Sequence, residues 1–215
     1  MKKMETGKMV QLSLLTALII LMSIVPFLGY IPLGITNATI IHIPVIIGSI
    51  VLGPIAGAFL GFVFGLTSFL HATYAPTIAS FIFTPFYSVG NISGNFWSLV
   101  IAFVPRILVG VVPYFVYHLI AKRQQKIALI SAGVAGSLTN TLLVMNFVYL
   151  FFGESYASVT NKGLDTLYSA IIAVICVNGI PEALLAGALT VGICTALFKA
   201  GVTQYTAHRV LSKTE

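Results

Sequence analysis

Charge is the scarcest thing in this sequence. Asp, Glu, Lys and Arg together make up 7% of its 215 residues, against roughly 25% in ordinary soluble domains. A soluble fold must turn a polar surface to water, so this composition excludes one. Other things are missing too. There is no GxxxxGK[ST] phosphate loop, so ATP hydrolysis by that route is excluded. Neither HExxH nor GxSxG occurs, and the Ser, His and Asp residues form no evident triad. No His or Cys pair stands at ligand spacing, so no metal site is expected, and no cofactor is expected in this chain. The two cysteines, Cys176 and Cys194, are eighteen residues apart in one apolar run. On a continuous helix that is about 27 Å, too far for a disulfide. Both read as small hydrophobes.

What remains is hydrocarbon. Apolar residues are 58% of the chain and its mean hydropathy is +1.04, as expected of an integral membrane protein. A span needs about 17–25 mostly apolar residues. Six candidates qualify, at 9–29, 38–53, 54–72, 97–121, 127–152 and 167–198. The fold class expected is therefore all-α integral membrane, one six-helix domain over residues 1–215. Spans two and three divide at Gly53-Pro54, where Gly suits a helix end and Pro a helix start. Span two is short, with Pro32 and Pro44 near its start. The first run is longer than a signal-peptide core and lacks a small-residue cleavage site, so it reads as a retained helix.

The net charge of +6 marks topology and not nucleic acid, since no basic stripe is interleaved with exposed aromatics. Lys2, Lys3 and Lys8 precede span one, Lys122, Arg123 and Lys126 separate spans four and five, and Lys199, Arg209 and Lys213 follow span six. Six spans with both termini cytoplasmic put all three clusters on the inner side of a cell membrane and leave only Lys162 in the opposite loops. One of those loops, 73–96, carries no charge and is too apolar for a flexible linker. It reads as a lid or binding loop, or as a re-entrant seal. No internal repeat is evident.

Two charges fall inside spans, Arg106 and Glu182. An intramembrane charge is costly enough to mark function, although a structural Arg–Glu pair between spans four and six would also account for them. Arg106 lies nine residues into span four, Asn140 about twelve before the end of span five, and Asn178 eleven into span six. At ~1.5 Å per residue these share one layer, with Glu182 one turn beyond Asn178 on the same face. Polar groups at one depth on three helices suggest a pocket floor. A channel would want a polar stripe along a whole pore. His71, Tyr87, Asn91, Asn95 and Trp97 cluster at the expected outer rim. Trp97 also suits an interface anchor. Gly53, Gly57, Gly61 and Gly65 recur every four positions, which allows close helix packing.

The stretches NATIIHIPVIIGSIVLGP, GAFLGFVFGLTSFL, GNFWSLVIAFVPRILVGVVPY and VNGIPEALLAG resemble the substrate-binding S components of energy-coupling factor (ECF) transporters, most closely those specific for pantothenate. The resemblance covers nearly the whole chain. It implies a high-affinity vitamin-binding subunit of an ABC-type importer, working with a membrane T component and two cytoplasmic ATPases that use ATP and Mg. The family's T-component contact is an AxxxA motif on the first helix. The matching stretch here is SLLTA, from Ser13 to Ala17, which departs by one small residue. Arg106 would then take the vitamin's carboxylate, with Asn140, Asn178, Glu182, His71, Asn95, Trp97 and Tyr87 as further contacts. Within the family, an S component for pyridoxine or a hydroxymethylpyrimidine is the alternative. Those ligands are aromatic and lack a carboxylate. Outside the family, an autonomous proton-coupled transporter using Glu182, a small channel or an intramembrane enzyme would fit the composition.

Overall fold

A computed structural model describes residues 6–25, 29–32, 37–160 and 163–201. Lys2, Lys3, Lys162, Arg209 and Lys213, which carry part of the orientation argument, lie outside the described residues. The described residues are helical apart from connecting loops and two minimal strand pairs. Its elements are α1 (Thr6–Ile24), β1 (Tyr30–Pro32), β2 (Asn37–Thr39), α2 (His42–Leu52), α3 (Pro54–Tyr74), a 3-10 turn (Ser80–Ile82), β3 (Ser88–Val89), β4 (Ile92–Ser93), α4 (Phe96–Val109), α5 (Val112–Ala121), α6 (Gln125–Thr160), α7 (Leu164–Val174), a π-turn (Ile175–Gly179) and α8 (Ile180–Lys199). The strands pair antiparallel as β1–β2 and β3–β4.

Among the described residues, five stretches are long and apolar enough to cross a membrane: Thr6–Ile24, Pro54–Tyr74, Phe96–Ala121, Gln125–Thr160 and Thr166–Lys199. The sixth apolar segment, α2, has only 11 helical residues, about 16 Å of rise against a hydrocarbon core of about 30 Å. Its expected first residues are instead spent on β2, and the helix starts at His42 with Pro44 in its first turn, where a missing N–H is harmless.

Two expected spans are interrupted. Residues 97–121 are not one helix, because α4 ends at Val109 and α5 begins at Val112 with Pro113 in its first turn. The last span changes from α to π winding at Ile175–Gly179, just before Pro181. A proline in a helix leaves the carbonyl four residues back without its donor and crowds it with the ring. A wider turn relieves both. Helix α6 continues beyond the expected fifth span, to Thr160, with a non-helical residue at Phe152 (φ −131°, ψ 20°).

Helix α3 shows how small residues set the architecture. Ile55, Phe59, Phe62, Leu66 and Leu70 form an exposed apolar stripe, while Gly57, Gly61 and Gly65 are buried on the opposite side. A β-carbon at Gly57 would overlap the carbonyl oxygen of Gly110, one at Gly61 that of Arg106, and one at Gly65 would sit 2.9 Å from that of Ala102. The two backbones therefore run antiparallel in contact, as small residues permit. Gly53 is not part of this face. It has φ +101° and opens the turn into α3, a conformation that suits glycine. On the other side, a β-carbon at Gly133 of α6 would crowd Ala186 and Gly187 of α8.

Loop 75–95 is ordered against the bundle. Phe81 and Ile82 are fully buried in an apolar cluster with Ile101, Val148, Phe152, Leu167 and Ile171. Ser98 at the start of α4 donates to the carbonyl of Phe81 at 2.7 Å, which pins the 3-10 turn to that helix.

Candidate functional site

A cavity of about 980 Å³, its mouth included, opens among α3, the 3-10 turn, α4, α6 and the last span. Its polar lining includes His71, Ser80, Arg106, Asn140, Asn178 and Glu182, and its apolar lining includes Ile82, Phe83, Val144, Met145 and Val148. The mixture is the usual one for a small-molecule site, an apolar wall with a few convergent polar groups.

Arg106 is the most constrained of these. It is 4% exposed. Its Nη1 donates to the carbonyl of Ile101 at 2.6 Å. Its guanidinium carbon stands 5.0 Å from the ring centroid of Phe83 and 5.5 Å from that of Phe64, within cation–π range. The acceptor is available for a reason visible in the sequence. In an α-helix the carbonyl of residue 101 takes the N–H of residue 105, but residue 105 is proline and has none to give.

Glu182 is held from another direction. Its Oε1 accepts the backbone N–H of Thr39 at 3.0 Å, so the end of β2 is tied to α8 at the cavity wall that Thr39 also lines. Each intramembrane charge thus has a partner of its own on the backbone. Asn140 is buried, and its Oδ1 has no hydrogen-bond partner among the described residues. A buried acceptor of that kind is rare in native proteins and calls for a donor. Val174, Asn178 and Glu182 all line the cavity at four-residue intervals. In a regular α-helix such a series winds about 40° further round at each step. The π-turn between Val174 and Ile180 widens the helix there and offsets that drift.

Of the eight residues the sequence suggests, the cavity brings together Arg106, Asn140, Asn178, Glu182 and His71. It does not include Tyr87, Asn95 or Trp97 among its lining residues. Asn95 is the N-cap of α4, with Oδ1 accepting from Trp97 N–H at 2.9 Å while Ser98 Oγ accepts from Asn95 N–H at 3.0 Å. Trp97 stacks on Phe151 with centroids 4.1 Å apart and planes 8° from parallel. Tyr87 packs beside the cluster around Phe81. Asn91 is exposed on the β3–β4 turn. The loop read as a lid supplies Thr77, Ala79, Ser80, Ile82 and Phe83 to the cavity wall. Sequence reasoning missed Thr39, Ser80, Tyr156 and Phe83, which also line it. The Pro105-Arg106 pair was a signal for how the arginine is held. Nothing local marks Thr39.

Ser13 and Ala17 lie on α1 and are exposed, as are Leu14, Leu18 and Leu21 beside them. No group of three or more His, Cys, Asp or Glu that could hold a metal occurs among the described residues.

Residues 7–194 match the family model described as ECF transporter, substrate-specific component. The chain is 47% identical over 166 residues to the pantothenic acid transporter PanT of Lactococcus lactis subsp. cremoris, covering 75% of this chain and 78% of that protein. It is 28% identical over 190 residues to the pantothenate transporter PanT of Leuconostoc mesenteroides subsp. mesenteroides, covering 85% of this chain and 87% of that one. With a membrane-spanning helical fold and a family match over most of its length, the chain belongs to the substrate-specific components of ECF transporters, which are transport subunits and not enzymes.

Proposed function

We propose that this chain binds pantothenate in the cavity around Arg106 and serves as the vitamin-binding subunit of an ECF-type ABC importer. The observation that carries the reading is a buried guanidinium and a buried open acceptor lining one cavity, Arg106 and Asn140 Oδ1. Pantothenate has a carboxylate at one end and hydroxyls and an amide along its length. A planar guanidinium suits the carboxylate with two charge-assisted hydrogen bonds. Asn140 and Asn178 suit the amide and hydroxyls, since each side chain both donates and accepts. Ile82, Val144, Met145 and Val148 suit the hydrocarbon between. The names of the two PanT relatives point to the same vitamin.

In this reading the six apolar segments form one membrane domain with both termini cytoplasmic. The exposed Ser13–Ala17 face of α1 meets a membrane T component, and two ATPase subunits supply ATP hydrolysis with Mg.

Thermal unfolding of the purified, detergent-solubilised chain against a panel of vitamins tests the ligand. A compound that binds only the folded state raises apparent stability, by about 2.7 kcal/mol at a hundred times its Kd. Pantothenate is expected to raise the Tm. A shift with pyridoxine or a hydroxymethylpyrimidine instead would overturn the substrate and leave the family standing. Uptake into liposomes by the chain alone, without ATP or partner subunits, would overturn the importer reading in favour of an autonomous transporter.

A further inference from the structure

Both membrane-embedded charges follow a proline directly, in Val104-Pro105-Arg106 and Ile180-Pro181-Glu182. A proline inside a helix costs stability relative to alanine, so one within α4 wants an explanation. Pro105 is buried and α4 continues through it to Val109. The fold does not use it to end the helix. Its consequence is local: the carbonyl of Ile101 loses its helical donor. That carbonyl points up the helix toward residue 105. Arg106 is the next residue, and side chains on a helix lean back toward its N-terminus. The guanidinium reaches the carbonyl at 2.6 Å.

We infer that Pro105 is a positioning residue for the cavity arginine. By withholding an N–H it reserves the Ile101 carbonyl for Arg106 Nη1 and fixes the rotation of the guanidinium fork in the cavity. The Phe64 and Phe83 rings near the guanidinium favour the cation without setting its in-plane orientation. The hydrogen bond to Ile101 constrains it. A flexible arginine would lose rotamer entropy on taking up a carboxylate, whereas a fork already fixed loses less. The inference rests on the pantothenate reading, because it assigns Arg106 to the ligand's anionic end.

The test is Pro105→Ala, measured as pantothenate affinity and as Tm of the unliganded protein. Alanine restores the N–H at 105, which then competes for the Ile101 carbonyl. Affinity is expected to fall about three- to ten-fold, the range for immobilising one long side chain on binding, while the unliganded Tm holds or rises. Affinity within twofold of wild type would overturn the inference. Failure of the wild-type chain to bind pantothenate would strike the functional reading instead. A double-mutant cycle with Arg106→Lys separates positioning from general damage. The Pro105→Ala effect should largely vanish in the lysine background, and an equal loss in both backgrounds would overturn the assignment. If Pro105→Ala does not yield monodisperse protein, arginine side-chain 15N spectra of wild type decide. Resolved Nη1 and Nη2 signals at Arg106 are expected, and one averaged signal would overturn the claim.

Discussion

The carbonyl of Arg106 lies against Gly61, so close that a β-carbon at 61 would overlap it. Four residues along α3 in either direction the same contact recurs, Gly57 on Gly110 and Gly65 on Ala102. The glycine face of α3 therefore sets the depth at which α4 sits, and with it the position of the cavity's cation.

Gly61→Ala should act at both levels. The added methyl group has backbone, not a flexible side chain, to displace. Overpacking of this kind costs about 1–3 kcal/mol, read as a lower Tm. Because the displaced backbone is that of Arg106, pantothenate affinity should fall as well. A variant that binds as tightly as wild type would show that α4 shifts without moving its guanidinium.

Arg106→Ala should abolish measurable pantothenate binding while the protein still inserts and purifies, because the ligand carboxylate would enter a buried cavity without its counter-charge. Arg106→Lys keeps the charge but loses the planar fork. It should recover little, remaining at least about ten-fold weaker than wild type, the equivalent of about 1.4 kcal/mol. Isothermal titration with pantothenate reads both. Wild-type affinity in the alanine variant would remove Arg106 from the site.

Much of this site was legible in the chain, for physical reasons. A lipid environment makes Arg106 and Glu182 conspicuous, since few charges survive there without purpose. Helical rise alone puts Asn140 and Asn178 at the depth of Arg106, and the cavity includes all three. The glycine spacing announced a close-packed face on α3, though not that α4 would fill it, and Gly53 belongs to the turn. What sequence could not give was direction. Asn95 and Trp97 are polar and aromatic at the right end of α4, yet the first is consumed in capping and the second in a stack on Phe151. Thr39 contributes a backbone N–H to Glu182, and backbone donors carry no residue signature. The helix break at 110–111 and the π-turn at 175–179 fall inside stretches that are apolar on average, where hydropathy has no resolution.

Glu182 is expected to matter through an acceptor oxygen. In Glu182→Gln the amide carbonyl can still accept the Thr39 N–H, while Glu182→Ala leaves that donor without its partner. Hydrogen exchange over residues 37–42 should be near wild type in the glutamine variant and faster in the alanine variant. Equal exchange in wild type and Glu182→Ala would mean that the 3.0 Å contact does not hold the end of β2.

The α1 face offers a third kind of test, on assembly. Ser13 and Ala17 are exposed, so bulky replacements have room in the isolated chain. Small residues permit close approach of a second helix, and Ala17→Trp should block it. Pantothenate binding by the purified subunit should be unchanged, while co-purification with a T component and ATP-dependent uptake should fall. Normal uptake by Ala17→Trp would place the partner on another face.

Trp97 and Asn95 separate stability from binding. Trp97 is 43% exposed and gives one face to Phe151. Trp97→Ala removes that stack and part of its buried area, for an expected loss of about 1–2 kcal/mol. Asn95→Ala removes the N-cap of α4, typically worth about 1 kcal/mol. Neither residue lines the cavity. Pantothenate affinity should therefore stay within twofold of wild type in both variants while the Tm falls. This is the reverse of the pattern expected for Pro105→Ala, where binding weakens and the fold does not. A ten-fold loss of affinity in Trp97→Ala at undiminished stability would bring the indole into contact with the ligand. The rim of the site would then extend past the 3-10 turn to the start of α4.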